Sequence, residues 1–250
     1  MTRRRWIADQ VSGNQAALIG EHARHLAEVL RARIGQEFEI STGTDVRLGR
    51  ISNIRPDRVE FDLGNPVARA NGLPISVALA IFKFDRMEWA IEKCVELGVE
   101  RIIPLIAART DSRLSSAAPK RVERWERIAK QASEQSRRSS APEISSPLGL
   151  RQLLAQAQGT RVVFSEVEDE TTLTEAIPKP VDALTLAFGP EGGWKEDELV
   201  AFQAAGWASA SLGPTILRAE TAVIAAVAIC HSMFQAYRRD RETKLKPDNG

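Results

Sequence analysis

The chain has 250 residues, 43% of them hydrophobic, and a formal net charge of +1. That length suits one large domain or two smaller ones, and the apolar fraction suffices for packed cores. No run of about eighteen apolar residues is free of charge, and the basic start "MTRRRW" leads into the polar "IADQVSGNQ", so neither a membrane span nor a secretory leader is expected.

The first seventy residues read as a small, mostly β unit. "GEHARHLAEVLRARIG" predicts a helix with Leu26, Val29 and Leu30 on one face and Gly35 just beyond its end. Three strands follow, "QEFEIS", "VRLGRISNI" and "RVEFDLG", separated by the turn-like "TGTD" and "RPD". This spacing suggests a small barrel or curled sheet. The turn formers in "NPVARANGLP" mark a boundary.

From Leu73 strands and helices alternate. "LPISVALAIF" is a buried strand, "DRMEWAIEKCVELG" a helix ending at Gly98, and "VERIIPLIA" the next strand. "PKRVERWERIAKQASEQSRR" is a long basic helix with Val122, Trp125, Ile128, Ala129 and Ala132 as its apolar stripe. "LGLRQLLAQAQG", "TRVVFS", "ETTLTEAI" and "DALTLAFG" continue the α/β order. "KEDELVAFQAAG" is a short helix stopped by Gly206, "WASASLG" a short strand, and a final helix runs from about Ala219 to Tyr237. The expected fold class is α/β with a mostly parallel sheet, and ligands of such domains bind beyond the carboxyl ends of strands.

Charge is unevenly spread. Residues 109–140 carry nine Arg or Lys against four Asp or Glu, and Arg238, Arg239, Arg241, Lys244 and Lys246 cluster near the end. Such patches suit phosphate contact, although a solvated face has the same composition. Cys94 and Cys230 lie in apolar helical surroundings and read as buried free thiols in a reducing, cytoplasmic setting. His22 and His25 are three apart, but no Cys, Asp or Glu pattern completes a metal site, and no metal is expected.

Two Gly-Pro junctions stand at strand ends. "FGPEGGW" follows an apolar strand, and Gly192 and Gly193 permit backbone angles and close approaches that a side chain would obstruct. Acidic "KEDE" then suits the positive end of the next helix. The spacing of Gly189, Gly192 and Gly193 is not that of a dinucleotide fingerprint, no phosphate-binding P-loop occurs, and Glu191 opposes direct pyrophosphate binding. "LGPTILRAETA" places Arg218, Glu220 and Thr221 at the start of an apolar helix. Together the junctions favour a ligand site over two structural turns. Ser and Cys residues lack a defensible pattern of triad partners, so covalent hydrolysis has no support in the sequence.

"FGPEGGW" with "SLGPTILRAETA" closely resembles the signature of the trefoil-knotted, or SPOUT, methyltransferases, and more narrowly of the ribosomal RNA small subunit methyltransferase E family. The resemblance extends to Lys83, Asp85, Met87, Glu88, Lys93, Glu96, Leu97 and Gly98 in "FKFDRMEWAIEKCVELG", and to Arg109 in "AARTDSR". It continues through Arg124, Trp125, Ala132, Glu134, Gln135 and Pro142 in "RWERIAKQASEQSRRSSAPEI", and His25, Val29, Leu30 and Arg31 near the front. Trp194 replaces the usual phenylalanine, Arg137 stands where a small residue is usual, and "TGTDVRLGRI" departs from the family's glycine-rich turn.

The resemblance implies a PUA-like RNA-binding domain over residues 1–70 and a knotted S-adenosylmethionine-dependent domain over 71–250. It implies a homodimer that methylates N3 of a uridine in 16S ribosomal RNA (position 1498 in the family), with the 30S subunit as partner. Phe164, Ser165, Gly189, Glu191, Gly192, Gly193, Leu212, Gly213, Ile216, Leu217 and Arg218 are then the cofactor wall. Arg218, Glu191 and Glu220 are the catalytic candidates, and Arg3, Arg4, Arg5, His25, Arg31, Lys83, Arg109 and Arg138 the RNA contacts. Arg218 would stabilise charge on a uracil oxygen, and either acid would orient the base or take its proton, although a carboxylate is a poor base unless burial raises its pKa. The target base would leave its stack. Two other readings stay open: a ribose 2′-O-methyltransferase of the same fold, and a non-catalytic RNA-binding module.

Overall fold

The structure is a computed structural model and describes residues 5–67, 73–136, 138 and 140–244, with side chains as far as 237. Its internal contacts form two units, Met1–Asn71 with Lys130–Ala141, and Gly72–Ala129 with Pro142–Gly250.

The first unit contains β1 (Arg5–Ile7), β2 (Gln10–Ser12), β3 (Gln15–Ile19), α1 (Glu21–Arg24), β4 (Glu37–Ser41), β5 (Val46–Arg55) and β6 (Arg58–Pro66). They form one curled sheet in the order β1-β4-β5-β6-β3-β2, antiparallel except for the β1–β4 pair. Two register shifts between β5 and β6, at Arg47/Gly49 and Ile51/Asn53, supply local twist where an extra residue enters the ladder. Trp6, Leu18, Leu26, Ile40, Ile51, Val59 and Phe61 fill its core. β4, β5 and β6 lie where alternation placed them. β1, β2 and β3 carry no such signal. The expected helix over residues 20–35 is shorter: α1 passes into a π-helical turn at His25–Val29, and Arg31 follows with φ 49. Val29, placed on its apolar face, is 66% exposed.

A polar network joins the β1–β2 connection, the end of β3 and α1 to residues 130–134. Asp9 accepts hydrogen bonds from the Ile19 N–H at 2.9 Å and His22 Nδ1 at 3.2 Å, and it pairs with Lys130; His22 Nε2 lies 3.5 Å from Glu134.

The second unit holds β7 (Ile75–Ala80), α2 (Phe84–Glu96), β8 (Arg101–Ile106), α3 (Ser112–Ala117), most of α4 (Val122–Gln135), β9 (Glu143–Ile144), β10 (Leu148–Gly149), α5 (Leu150–Gln156), β11 (Thr160–Phe164), α6 (Leu173–Ala176), β12 (Leu184–Phe188), α7 (Glu196–Ala204), β13 (Ala208–Ala210) and α8 (Ala219–Lys244). The sheet is wholly parallel in the order β10-β8-β7-β12-β11-β13, with β9 beside β8. β12 is buried at every position, as a central strand covered on both faces requires.

α2 buries Met87, Ala90, Ile91, Cys94 and Val95, a three-to-four-residue spacing that turns one face inward. α4 buries Trp125, Ala129 and Ala132. A large apolar side chain buried in this way contributes about 1.5–3 kcal/mol. Cys94 and Cys230 are free and buried, and burial pushes both thiols up to about 12. α8 runs beyond the expected end at Tyr237 and packs on α2 and β12.

Candidate functional site

Three parallel strands end side by side. Phe164 of β11 is paired with Phe188 of β12 and with Ala210 of β13, and each strand then opens into a loop. These loops, the start of α8 and Arg86 of α2 line a cleft of about 710 Å³, a size that suits a drug-sized or nucleoside-sized ligand. The stacked rings of Phe164 and Phe188, 4.6 Å apart at 11°, give it an apolar lining. Phe164, Ser165, Gly189, Glu191, Gly193, Leu212, Gly213, Ile216, Leu217 and Arg218 all stand on its wall, as the sequence placed them together.

The first junction is a braced turn. The Gly193 N–H donates to the Pro190 carbonyl at 2.8 Å, and Gly193 sits at φ 71, a left-handed conformation costly for any residue with a Cβ. A Cβ on Gly189 would lie 3.1 Å from the Trp194 ring. Trp194 in turn donates its indole N–H to the Phe164 carbonyl at 2.8 Å. Glu198, 7% exposed, accepts from the Ala108 N–H at 2.8 Å and the Lys195 N–H at 2.9 Å. It thereby caps α7 and fastens the loop after β8. From that loop Arg109 donates to the Gly192 carbonyl at 2.5 Å.

Gly192 itself does not line the cleft, and a Cβ there would meet Arg109 at an ordinary 3.5 Å. The close approach expected at Gly192 belongs instead to Gly189 and Gly193, and the special backbone angle to Gly193.

At the second junction the Gly213 N–H donates to Ser211 Oγ at 3.2 Å, and an isolated parallel bridge joins Ser211 to Thr172 of the loop after β11. The Arg218 carbonyl accepts from the N–H groups of Thr221 and Ala222, which starts α8. Its guanidinium is exposed and forms no ion pair among the described residues.

Two arginines and four carboxylates stand on the cleft: Arg86, Arg218, Glu166, Glu168, Asp169 and Glu191. N–H donation from Thr171 holds the Glu168 carboxyl below the usual range, with a further contribution from the Glu170 N–H. Arg86 Nη1 lies 2.9 Å from Glu191 Oε1, and its Nε lies 3.8 Å from Glu220 Oε1. Glu220 is 8% exposed and is not on the cleft wall; its Oε2 has no hydrogen-bond partner among the described residues. The expectation that Glu220 faces the ligand beside Glu191 is thus corrected: it stands behind Arg86. Sequence reasoning missed Arg86, Glu166 and Ser211 as wall residues. Arg86 meets Glu191 because β12 lies next to β7, a neighbourhood that no sequence period encodes.

The RNA candidates are divided between the two units. Lys83 and Arg109 are exposed in the second unit. In the first unit His25 is exposed with its ring 5.8 Å from Trp6, Arg31 is exposed, and Arg138 is half-buried. Arg5 is corrected: it is 6% exposed and pairs with Glu39, so it braces β1 against β4. Arg3, Arg4, Arg137 and the side chains of the basic carboxyl-terminal cluster lie outside the described residues. Among the described residues no three His, Cys, Asp or Glu side chains are grouped to hold a metal.

Residues 69–231 match the model of the RNA methyltransferase domain family. The chain is 30% identical over 239 residues to ribosomal RNA small subunit methyltransferase E of Bacillus subtilis, covering 90% of this chain and 93% of that one. The protein of the same name from Mycobacterium tuberculosis is 30% identical over 250 residues, with 92% of each chain covered. The crystal structure of ribosomal RNA small subunit methyltransferase E from Neisseria gonorrhoeae bound to S-adenosyl methionine superposes with a TM-score of 0.83 at 30% identity, covering 93% of this chain and 98% of that one. Fold, cleft and sequence agree, and the chain belongs to the ribosomal RNA small subunit methyltransferase E family.

Proposed function

We propose that this chain transfers the methyl group of S-adenosylmethionine to N3 of one uridine in 16S ribosomal RNA, acting on the 30S subunit in the cytoplasm. The carrying observation is the cleft at the ends of β11, β12 and β13, formed by the two Gly-Pro junctions in a chain of this family. Its residues fit the donor that accompanies the Neisseria relative. The stacked phenylalanines offer an apolar surface for a purine, and the side-chain-poor turns at Gly189, Gly193 and Gly213 expose backbone groups to its polar edges. Leu212, Ile216 and Leu217 supply the opposite apolar wall. Gly192 contributes through its carbonyl, which Arg109 holds.

When bound, the donor supplies an electrophilic methyl: the N3–CH₃ bond forms as the S–CH₃ bond breaks, leaving a neutral thioether and releasing the N3 proton. The protein's work is alignment, charge stabilisation and removal of that proton. Arg218, at the start of α8 and without an ion pair among the described residues, stabilises charge on a uracil oxygen. Glu191, on the wall, accepts the N3 proton as formation of the N3–CH₃ bond makes that proton strongly acidic, a transfer for which a weak base suffices. The four acids on the cleft favour a cationic donor over its neutral product.

Residues 1–70 form a PUA-like domain that binds RNA, with His25 and Arg31 on its exposed surface, and 71–250 form the methyltransferase domain, with Lys83 and Arg109 as its phosphate contacts. The knotted reading rests on the chain path: β12 and β13 flank β11, so the chain leaves β12 and passes β11 before entering α8. The homodimer reading rests on α8. By length and composition Ala219–Tyr237 could cross a membrane, yet it packs on α2 and begins at the cleft, and only 28% of it is buried within the chain. A second subunit covers the rest.

Digestion of methylated 30S RNA to nucleosides, with mass spectrometry, tests the reaction. 3-Methyluridine is expected. A ribose-methylated nucleoside would replace this reading with its 2′-O rival, and no methylated nucleoside would leave a binding module.

A further inference from the structure

The cleft contains a chain of charge that neither junction explains alone. Arg86 is the third residue of α2 and comes from neither Gly-Pro loop. Its guanidinium reaches Glu191 of the first junction at 2.9 Å and Glu220 of the second at 3.8 Å. The two acids differ in environment. The Glu191 side chain is 46% exposed and lies on the cleft, whereas that of Glu220 is 10% exposed and lies behind it. A buried carboxylate without a cation is costly, and among the described residues Arg86 is the cation within ion-pair distance. One end of Arg86 is therefore anchored in the protein, and the other meets an acid free to move with solvent.

We infer that Arg86 is a positioning residue for methyl transfer: anchored by the buried Glu220, it holds the Glu191 carboxylate at the cleft wall where the uracil N3 proton is delivered. This rests on the function proposed above. It divides the labour between the two acids. Glu191 touches the substrate, and Glu220 acts only through Arg86. An exposed carboxylate samples several rotamers, and a cationic partner anchored 2.9 Å away favours one of them. The arrangement also ties the two junctions together, so one loop cannot shift without the other.

The test compares Arg86→Met, Arg86→Lys, Glu191→Gln, Glu220→Gln and the double variants Arg86→Met/Glu220→Gln and Arg86→Met/Glu191→Gln. Methyl transfer to unmodified 30S particles, calorimetric affinity for S-adenosylmethionine and thermal stability are measured for each. Arg86→Met should lower kcat about 100-fold, the scale of a misplaced general base, with donor affinity changed less than about threefold. It should also lower the melting temperature, because Glu220 is left buried and unpaired. Glu220→Gln in the same chain should restore stability and leave kcat low. Arg86→Lys, which keeps the charge, should recover most of the rate. Glu191→Gln should match Arg86→Met in kcat, and the double variant Arg86→Met/Glu191→Gln should be no slower than either, since the two act as a unit.

Recovery of kcat together with stability in Arg86→Met/Glu220→Gln would reduce Arg86 to a structural ion pair and overturn the inference. So would a fully active Arg86→Met in a wild-type background that methylates. A wild-type protein that transfers no methyl group removes the proposed function and this role with it, a result distinct from either.

Discussion

The indole N–H of Trp194 donates to the carbonyl oxygen of Phe164 at 2.8 Å, tying the first Gly-Pro loop to the end of the neighbouring strand. A phenylalanine, which the family resemblance leads one to expect here, would keep the edge contact with Phe202, whose centroid is 5.0 Å away. It would not supply the donor. Trp194→Phe should therefore cost about 1–3 kcal/mol, the penalty for stranding a buried acceptor. Urea denaturation with an unchanged m-value measures it; unaltered stability would mean that the Phe164 carbonyl finds another partner.

The two adjacent glycines should respond differently. Gly193 holds φ 71, so Gly193→Ala places a Cβ in the left-handed region at about 1–2 kcal/mol and forces the Glu166 carboxylate, which stands against that position, to swing away. Glu166 lines the cleft, so affinity for S-adenosylmethionine should fall about tenfold, equivalent to about 1.4 kcal/mol. Gly192→Ala meets only ordinary contact and should bind nearly as tightly as wild type. Calorimetry on the pair decides this, and the reverse order would contradict the geometry.

These glycines also mark how far the sequence could be read. The motif "FGPEGGW" located the cleft because glycine and proline leave strong local signatures, and the parallel sheet followed from β7, β8, β11 and β12, whose apolar runs suit strands covered on both faces. Which glycine is strained was not legible, since it depends on the turn closed by Pro190 and Gly193. Arg86 was missed for a related reason: strand order brings it to the cleft, and a charged residue at a helix start looks solvated in sequence; Glu166, in the loop just after Ser165, carries no local signature of its own. Arg5 was misread because a basic cluster conceals one member paired with Glu39 across β1 and β4. The helix over 20–35 ended early, at the π-turn and Arg31, although helical spacing continued.

Glu198 joins the loop after β8 to the start of α7 with one carboxylate. Glu198→Gln keeps one acceptor and turns an amide N–H towards either the Ala108 or the Lys195 N–H. A loss of about 1–3 kcal/mol is expected. Donor affinity should weaken in parallel, because the loop bearing Arg109 is no longer fixed against Gly192. A stability loss with unchanged affinity would separate the Glu198 brace from the cleft.

The Asp9–His22–Lys130–Glu134 network makes the first unit pH-dependent. The hydrogen bond to Asp9 raises the His22 pKa, burial opposes it, and Glu134 adds to the rise. Burial pushes Asp9 up, but hydrogen bonds from His22, Lys130 and the Ile19 N–H outweigh it and hold the carboxyl well below its usual range. Burial raises Glu134, with His22 and Lys130 opposing. A raised histidine contributes stability fully below its unfolded pKa of about 6.5 and loses it as pH climbs through the folded value. Relative to His22→Gln, wild type should be more stable by a few tenths to about 1 kcal/mol near pH 6 and converge with it in alkaline solution. Denaturation from pH 5.5 to 9 follows the difference, and a gap that widens with pH would contradict the assignment.

The most direct measurement is labelled methyl transfer from S-adenosylmethionine to unmodified 30S particles, followed by primer extension along the 16S RNA. A methyl group on N3 occupies the Watson–Crick edge of uracil and halts reverse transcription, whereas a ribose 2′-O-methyl leaves that edge free. One new stop at a single uridine, dependent on donor and abolished with the label in Arg218→Ala, is the expected result. Label incorporated without a stop, or no incorporation at all, would contradict uracil N3 methylation by this cleft.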